Sequence, residues 1–209
     1  MALPRVRIPP PSHRYTDHVA IRRPSARMER VPVSKNHGRR MSEAAYLALP
    51  EEKPYLEYVD GVVLQKPMGD EFHGRLVGFL DYLMYGYKLV HGGDLGPERR
   101  VRLLDGSGFR LPDTAYWAPG RPSGSDSTPS LAIEVRSSDQ TMTELRRKCR
   151  SFRANGVACC WLIDPYARTV EVFEADRDAE QLAADAALET AVMPGFSVPQ
   201  ADLWAAMER

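Results

Sequence analysis

"PSLAIEVRSSDQTMTELRRKCRSF" (residues 129–152) sets a carboxylate, Glu134, inside an apolar run between Ile133 and Val135. Leu131, Ala132, Ile133 and Val135 read as a strand heading into a core. An unpaired charge buried there would sooner take up a proton than stay ionised, so Glu134 needs an explanation. Downstream, Thr141 and Glu144 form a T-x-x-E capping box. Met142, Leu145, Cys149 and Phe152 then recur at helical spacing as the buried stripe of a helix, which Asn155-Gly156 ends. A second near-continuous apolar strand follows in "VACCWLIDP" (157–165), paired with "RTVEVFEA" (168–175) across "DPYA". Strands interleaved with amphipathic helices predict an α/β fold, a mixed β-sheet flanked by helices.

Working outward, Ser42 caps a short helix through Leu49 that Pro50 stops. "YLEYVDGVVLQKP" (55–67) reads as two short strands about an Asp60-Gly61 hairpin turn. Phe72, Leu76, Phe79, Leu80, Leu83 and Tyr87 recur at three- and four-residue steps, predicting a helix of about four turns. "ERRVRLLDGSGFRLPDTAYWAP" (98–119) supplies two strand-like runs around a Gly-rich turn, and "RPSGSDSTPS" (121–130) is a loop by composition. A last strand near Val192 to Val198 and a helix around Leu203 complete the reading.

The 209 residues suit one domain with a tail, and the formal net charge is zero. That zero conceals an asymmetry. Residues 1–40 hold ten Lys/Arg against two acidic residues, leaving 18 basic and 26 acidic residues beyond them. The first 40 residues, rich in Pro and Arg, read as a disordered or loosely attached extension. Such an extension is either a basic arm for nucleic-acid phosphates or a solvated tail, and residues 41–209 form the domain. No apolar run approaches the roughly 18–20 residues that a membrane span needs, and the head lacks a secretory signal. Cys149, Cys159 and Cys160 show no metal-ligand spacing and read as small core hydrophobes in a reducing compartment. A cytoplasmic protein is expected.

Three positions put charge where core is expected: Asp113, just after Leu111-Pro112; Glu134; and Lys148, three after Leu145 and four before Phe152. Two such carboxylates are reconciled if they share a divalent cation. Hard oxygen donors favour Mg²⁺ or Mn²⁺, with the Val135 carbonyl available to add to the shell. A neighbouring ammonium keeps the carboxylates ionised and can orient water or a phosphate oxygen. That set is suited to phosphodiester hydrolysis. Each residue also has a structural reading. Asp113 could satisfy a turn after proline, Glu134 could pair with Arg136 or Arg110, and Lys148 could extend along the helix edge to water. His73 could be an ordinary satisfied histidine, Glu57 a cross-strand ion-pair member, and Tyr82, Tyr85 and Tyr87 core and interface residues.

"LPDTAYW", "LAIEVRSS", "YLEYVDGVVLQKP", His73, Lys148 with Phe152, and "NGVACCWLIDP" occur in an order and spacing that resemble the Uma-two-type restriction endonuclease family, of the PD-(D/E)xK nuclease superfamily, over roughly residues 41 to 204. The resemblance implies a restriction-endonuclease-like core, Mg²⁺ dependence, DNA as substrate, and a homodimer. It makes Asp113 and Glu134 metal ligands and Lys148 the catalytic lysine, moved onto the helix from the position two after the glutamate. It places Glu57 and His73 at the edge of the site, and Ser137 and Gln140 in the strand-to-helix turn. Two departures stand out. Arg136 occupies the superfamily's usual lysine position, where it either assists Lys148 or displaces the metal by pairing with Asp113. Glu144 stands where the family usually has Asp, and its capping role accounts for it. The competing readings are a catalytically inactive nuclease-fold module that binds nucleic acid or protein, and an accessory factor that docks a partner on the tyrosine-rich helix.

Overall fold

The stretch 129–152 lies at the centre of a computed structural model that describes residues 33–124, 127–175 and 177–208. Leu131–Val135 forms β7, buried at every position, and Met142–Ala154 forms α3, capped by the reciprocal Thr141–Glu144 box. Helix α3 carries the chain across to β8 (Cys159–Asp164), which pairs parallel with β7 in the register Leu131↔Cys159 to Val135↔Ile163. Asn155 caps α3, and Gly156, at φ +89°, makes the left-handed turn that the Asn-Gly pair predicts.

These two strands are the middle of a six-stranded sheet, order β10-β9-β8-β7-β6-β3. Its other members are β3 (Asp94–Pro97), β6 (Thr114–Trp117), β9 (Thr169–Glu174) and β10 (Arg177–Gln181), all joined antiparallel. Alternation along β7 divides the core. Leu131, Ile133 and Val135 face α2 (Glu71–His91) and α4 (Gln200–Met207), with Leu76, Leu80, Met84 and Leu203. Ala132 faces α3, with Leu145, Cys149 and Phe152. All three cysteines are buried and unpaired, as expected of small core residues.

A second sheet has the order β2-β1-β5-β4 and comprises β1 (Leu56–Val59), β2 (Val62–Gln65), β4 (Val101–Leu103) and β5 (Gly108–Arg110). The β1–β2 hairpin turns at Asp60-Gly61, with φ +50° and +79°, as the sequence predicts. This small sheet has its own core of Tyr46, Tyr58, Val63 and Phe109, covered by α1 (Glu43–Leu47), which Ser42 caps. Through Val101 and Leu103 of β4 it also packs on the α3 side of the large sheet. A two-stranded pairing of β11 (Ala187–Glu189) with β12 (Ser197–Pro199) precedes α4.

Besides strands that the sequence did not announce (β3, β10 and β11) and a last strand confined to Ser197–Pro199, three features differ from the sequence expectation. Helix α2 has 21 residues rather than about four turns, because Leu76, Leu80, Met84 and Tyr87 extend one buried stripe along it; Phe72 is exposed, as are Tyr82 and Tyr85. The 98–119 stretch makes three strands, not two. Residues 34–40, assigned by sequence to the extension, run beside β2, where Gly38 N–H donates to the Val63 carbonyl (2.8 Å) and Val63 N–H to that of Arg39 (2.9 Å). Residues 1–32 lie outside the described residues. Among those described, no helix is long and apolar enough to cross a membrane.

Candidate active site

Where β5 of the small sheet leads through Leu111-Pro112 into β6 of the large one, the two sheets meet at a cluster of buried charges. Asp113 sits there, two residues before Ala115. Alternation therefore turns its side chain to the α3 side of the sheet, the side that Ala132 and Glu134 share. Pro112 has no N–H to leave unpaired at this junction. The Asp113 backbone is locked at both ends: its N–H donates to the Ile133 carbonyl (3.0 Å), and its carbonyl accepts from Glu98 N–H (3.2 Å).

Both Asp113 carboxylate oxygens are engaged. Oδ1 lies 2.9 Å from Lys66 Nζ; Oδ2 lies 3.1 Å from His73 Nε2 and accepts the Val135 N–H at 2.7 Å. Burial alone would raise the pKa of this acid, but Lys66 and His73 outweigh it and hold the carboxyl well below the usual range. Asp113 is therefore ionised. Burial also works against a charged His73, yet the hydrogen bond and charge of Asp113 raise its pKa above the ordinary value. Helix α2 presents His73 in its first turn, where Asp70 caps the helix by accepting His73 N–H at 3.1 Å.

Glu134 is in the opposite condition. It is 1% exposed, and its Oε1 lies 3.0 Å from Lys148 Nζ without meeting hydrogen-bond geometry with any described group. Burial, reinforced by the charges of Asp113 and Glu57, outweighs Lys148 and pushes its pKa up to about 7. Two neighbouring carboxylates on one face thus hold their protons very differently, a disparity typical of functional sites.

Lys148 is the hub. Helix α3 presents it beside its apolar stripe, where it is buried rather than extended to water. Its ammonium meets Glu57 Oε1 at 2.9 Å, Glu134 Oε1 at 3.0 Å and the Leu111 carbonyl at 2.8 Å. Burial opposes its charge, but Glu134, Glu57 and Asp113 together raise its pKa, so it stays protonated. Glu57, on β1, also accepts from Leu111 N–H (2.9 Å) and Arg110 Nη1 (3.1 Å). Despite its burial, Lys148, Arg110 and the Leu111 N–H lower its pKa.

All five side chains singled out from sequence (Asp113, Glu134, Lys148, Glu57 and His73) meet in this cluster. Val135 meets it through its N–H, which supports Asp113. Two sequence alternatives are corrected: Glu134 pairs with neither Arg136 nor Arg110, and Arg136 turns away from Asp113. Arg136 Nη1 binds Asp164 (3.0 and 3.3 Å), its Nε donates to the Gln140 carbonyl, and its guanidinium lies over the Tyr166 ring. It braces the β7–α3 turn, in which Gln140 Oε1 also accepts Ser137 N–H. The residue that sequence reasoning missed is Lys66, 5% exposed, which takes the place on Asp113 offered to Arg136. No local sequence signal marks it: Lys66 lies at the end of the hairpin that carries Glu57, where its backbone N–H donates to the Tyr55 carbonyl (2.8 Å).

The donor chemistry fits a divalent cation. Among the described residues no three His, Cys, Asp or Glu side chains gather as a metal group. A cation would therefore rest on Asp113 and Glu134 and draw other ligands from water and substrate, which is the habit of Mg²⁺. Glu134 Oε1 makes no hydrogen bond among the described residues, and such an ion would share it with the Lys148 ammonium 3.0 Å away.

No curated protein matches the chain. A crystal structure of a "putative nuclease belonging to DUF820" from Anabaena variabilis superposes with a TM-score of 0.70 at 22% identity, over 80% of this chain and 99% of that one. At that identity the likeness is one of fold, a restriction-endonuclease-like mixed sheet flanked by helices. The sequence profile of the Uma2 family, described as "Putative restriction endonuclease", matches residues 44–203. That span takes in every residue of the cluster, and the chain belongs to this family.

Proposed function

We propose that the chain is a metal-dependent endonuclease that hydrolyses DNA phosphodiester bonds, with Asp113 and Glu134 holding Mg²⁺ or Mn²⁺ and the Val135 carbonyl supplementing them. The observation that supports this most is Glu134: a fully buried carboxylate beside an ionised Asp113, whose Oε1 faces the Lys148 ammonium at 3.0 Å but makes no hydrogen bond among the described residues. When bound, the cation would supply a Lewis acid that activates water and neutralises charge developing on the phosphoryl oxygens. Lys148 is too firmly protonated to act as a base, so its role is that of a fixed cation for the water or a phosphate oxygen. Glu57 and the Leu111 carbonyl aim that ammonium, and Glu57 is a positioning residue. His73 and the Val135 N–H hold the Asp113 carboxylate in place. Each site severs one strand, so a double-strand break calls for a homodimer.

One observation favours the alternative, an inactive nuclease-fold binding module: Lys66, His73 and Lys148 already occupy the two carboxylates that would hold the metal. Nicking of supercoiled plasmid with Mg²⁺ or Mn²⁺ separates the two. Wild type is expected to nick, and Asp113→Asn and Glu134→Gln to lose at least about a hundredfold. Equal rates in all three proteins, or no nicking by the wild type, would remove the endonuclease reading.

A further inference from the structure

Three buried carboxylates (Glu57, Asp113 and Glu134) face three buried or nearly buried cations (Lys66, Arg110 and Lys148). Charged His73 and the partly exposed Glu98 add one of each sign. With every carboxylate ionised, as metal ligation requires, and His73 protonated, the set is electrically neutral, and a divalent ion arriving in it unaccompanied would leave two uncompensated positive charges in a poorly solvated place. A cation must give way, or an anion must come with the metal.

The candidates to give way are unequal. Lys148 is tied to two carboxylates and a carbonyl, and Arg110 to Glu57 alone, away from the two carboxylates proposed to hold the metal. Lys66 sits directly on Asp113 Oδ1 at 2.9 Å, and the angle does not meet hydrogen-bond geometry. Its second partner, Glu98 at 3.5 Å, has a side chain 41% exposed and marks a way out towards solvent. A flexible four-carbon stem permits that swing.

We propose that Lys66 is a tethered counter-cation that holds the metal's place on Asp113 and is displaced towards Glu98 when the divalent ion binds. This rests on the metal-site reading above and adds a regulation to it. Metal affinity is set by competition with a side chain of the protein itself, and a phosphodiester of the substrate, by receiving the released ammonium, favours metal loading. The free site is thereby kept poor in metal until nucleic acid is present.

The test is Mn²⁺ binding, read from the electron paramagnetic resonance of the free ion, for wild type, Lys66→Met and Glu134→Gln. Thermal melts confirm that each is folded. Lys66→Met is expected to bind Mn²⁺ roughly tenfold tighter or more, and Glu134→Gln to bind more weakly than wild type. Equal affinity in wild type and Lys66→Met overturns the counter-cation while leaving the metal site standing. Mn²⁺ binding that is indifferent to Glu134→Gln, or absent throughout, overturns both. If Lys66→Met does not fold, reductive methylation of the wild type provides the readout. Lys66 should be protected without metal and label at least about tenfold faster at saturating Mn²⁺, and an unchanged labelling rate overturns the proposal.

Discussion

Lys148 serves stability and activity together, whereas Glu134 sets one against the other. Lys148→Met leaves Glu57 and Glu134 without their shared ammonium, and removing one partner of a buried ionic set costs about 3 kcal/mol or more. Urea unfolding should show that loss together with the loss of nicking. Glu134→Gln removes a carboxylate that burial disfavours. In EDTA it is expected to unfold at a higher temperature than wild type while losing nuclease activity, the trade expected of a strained site. The pH dependence fixes the sign. Because the folded-state pKa of Glu134 is raised from 4.5 to about 7, its contribution is fully present below about pH 4.5 and is lost as pH rises to about 7. The stability gap between Glu134→Gln and wild type should therefore open over that window and stay flat above it. A gap independent of pH would show that Glu134 has the same pKa folded and unfolded.

At the level of elements, the sequence was most readable where pattern and partner coincide. The α3 capping box, the Asp60-Gly61 hairpin and the apolar β7 and β8 strands each have a short-range signal, and the structure forms each of them. Of the strands that escaped notice, β3 and β10 are the two edges of the large sheet and β11 is half of a two-stranded pair. "DLGP" contains one large apolar side chain with a glycine and a proline, and "RDAEQ" is almost wholly polar. Edge strands gain their conformation from a neighbour and are kept polar or interrupted against mispairing, so local pattern does not reveal them. The small sheet depends on Gly108, whose φ is +129°. A Cβ there would lie 2.1 Å from the Tyr58 carbonyl oxygen, backbone against backbone. Gly108→Ala should cost about 2 kcal/mol and weaken nicking as well, since β1 carries Glu57; circular dichroism melts and plasmid nicking check both.

At the scale of the whole molecule, three side chains chosen for their oddity in sequence (Asp113, Glu134 and Lys148) meet at one junction, each violating the polarity of the element it sits in, and Glu57 and His73, which the family resemblance supplied, join them there. Lys66 violates nothing locally. It ends a surface hairpin, and only the docking of that hairpin on the large sheet makes it buried. The direction of Arg136 was equally unreadable, since it depends on the β7–β8 pairing that brings Asp164 alongside. The charged cluster thus draws Glu57 and Lys66 from one sheet and Asp113 and Glu134 from another, with no strand common to both. Shearing the two layers apart would scatter the clustered charges while each layer kept its own ladder. On warming, plasmid nicking should accordingly fade several degrees before the circular-dichroism melt, so that lost activity acts as an early thermometer of the crevice between the layers.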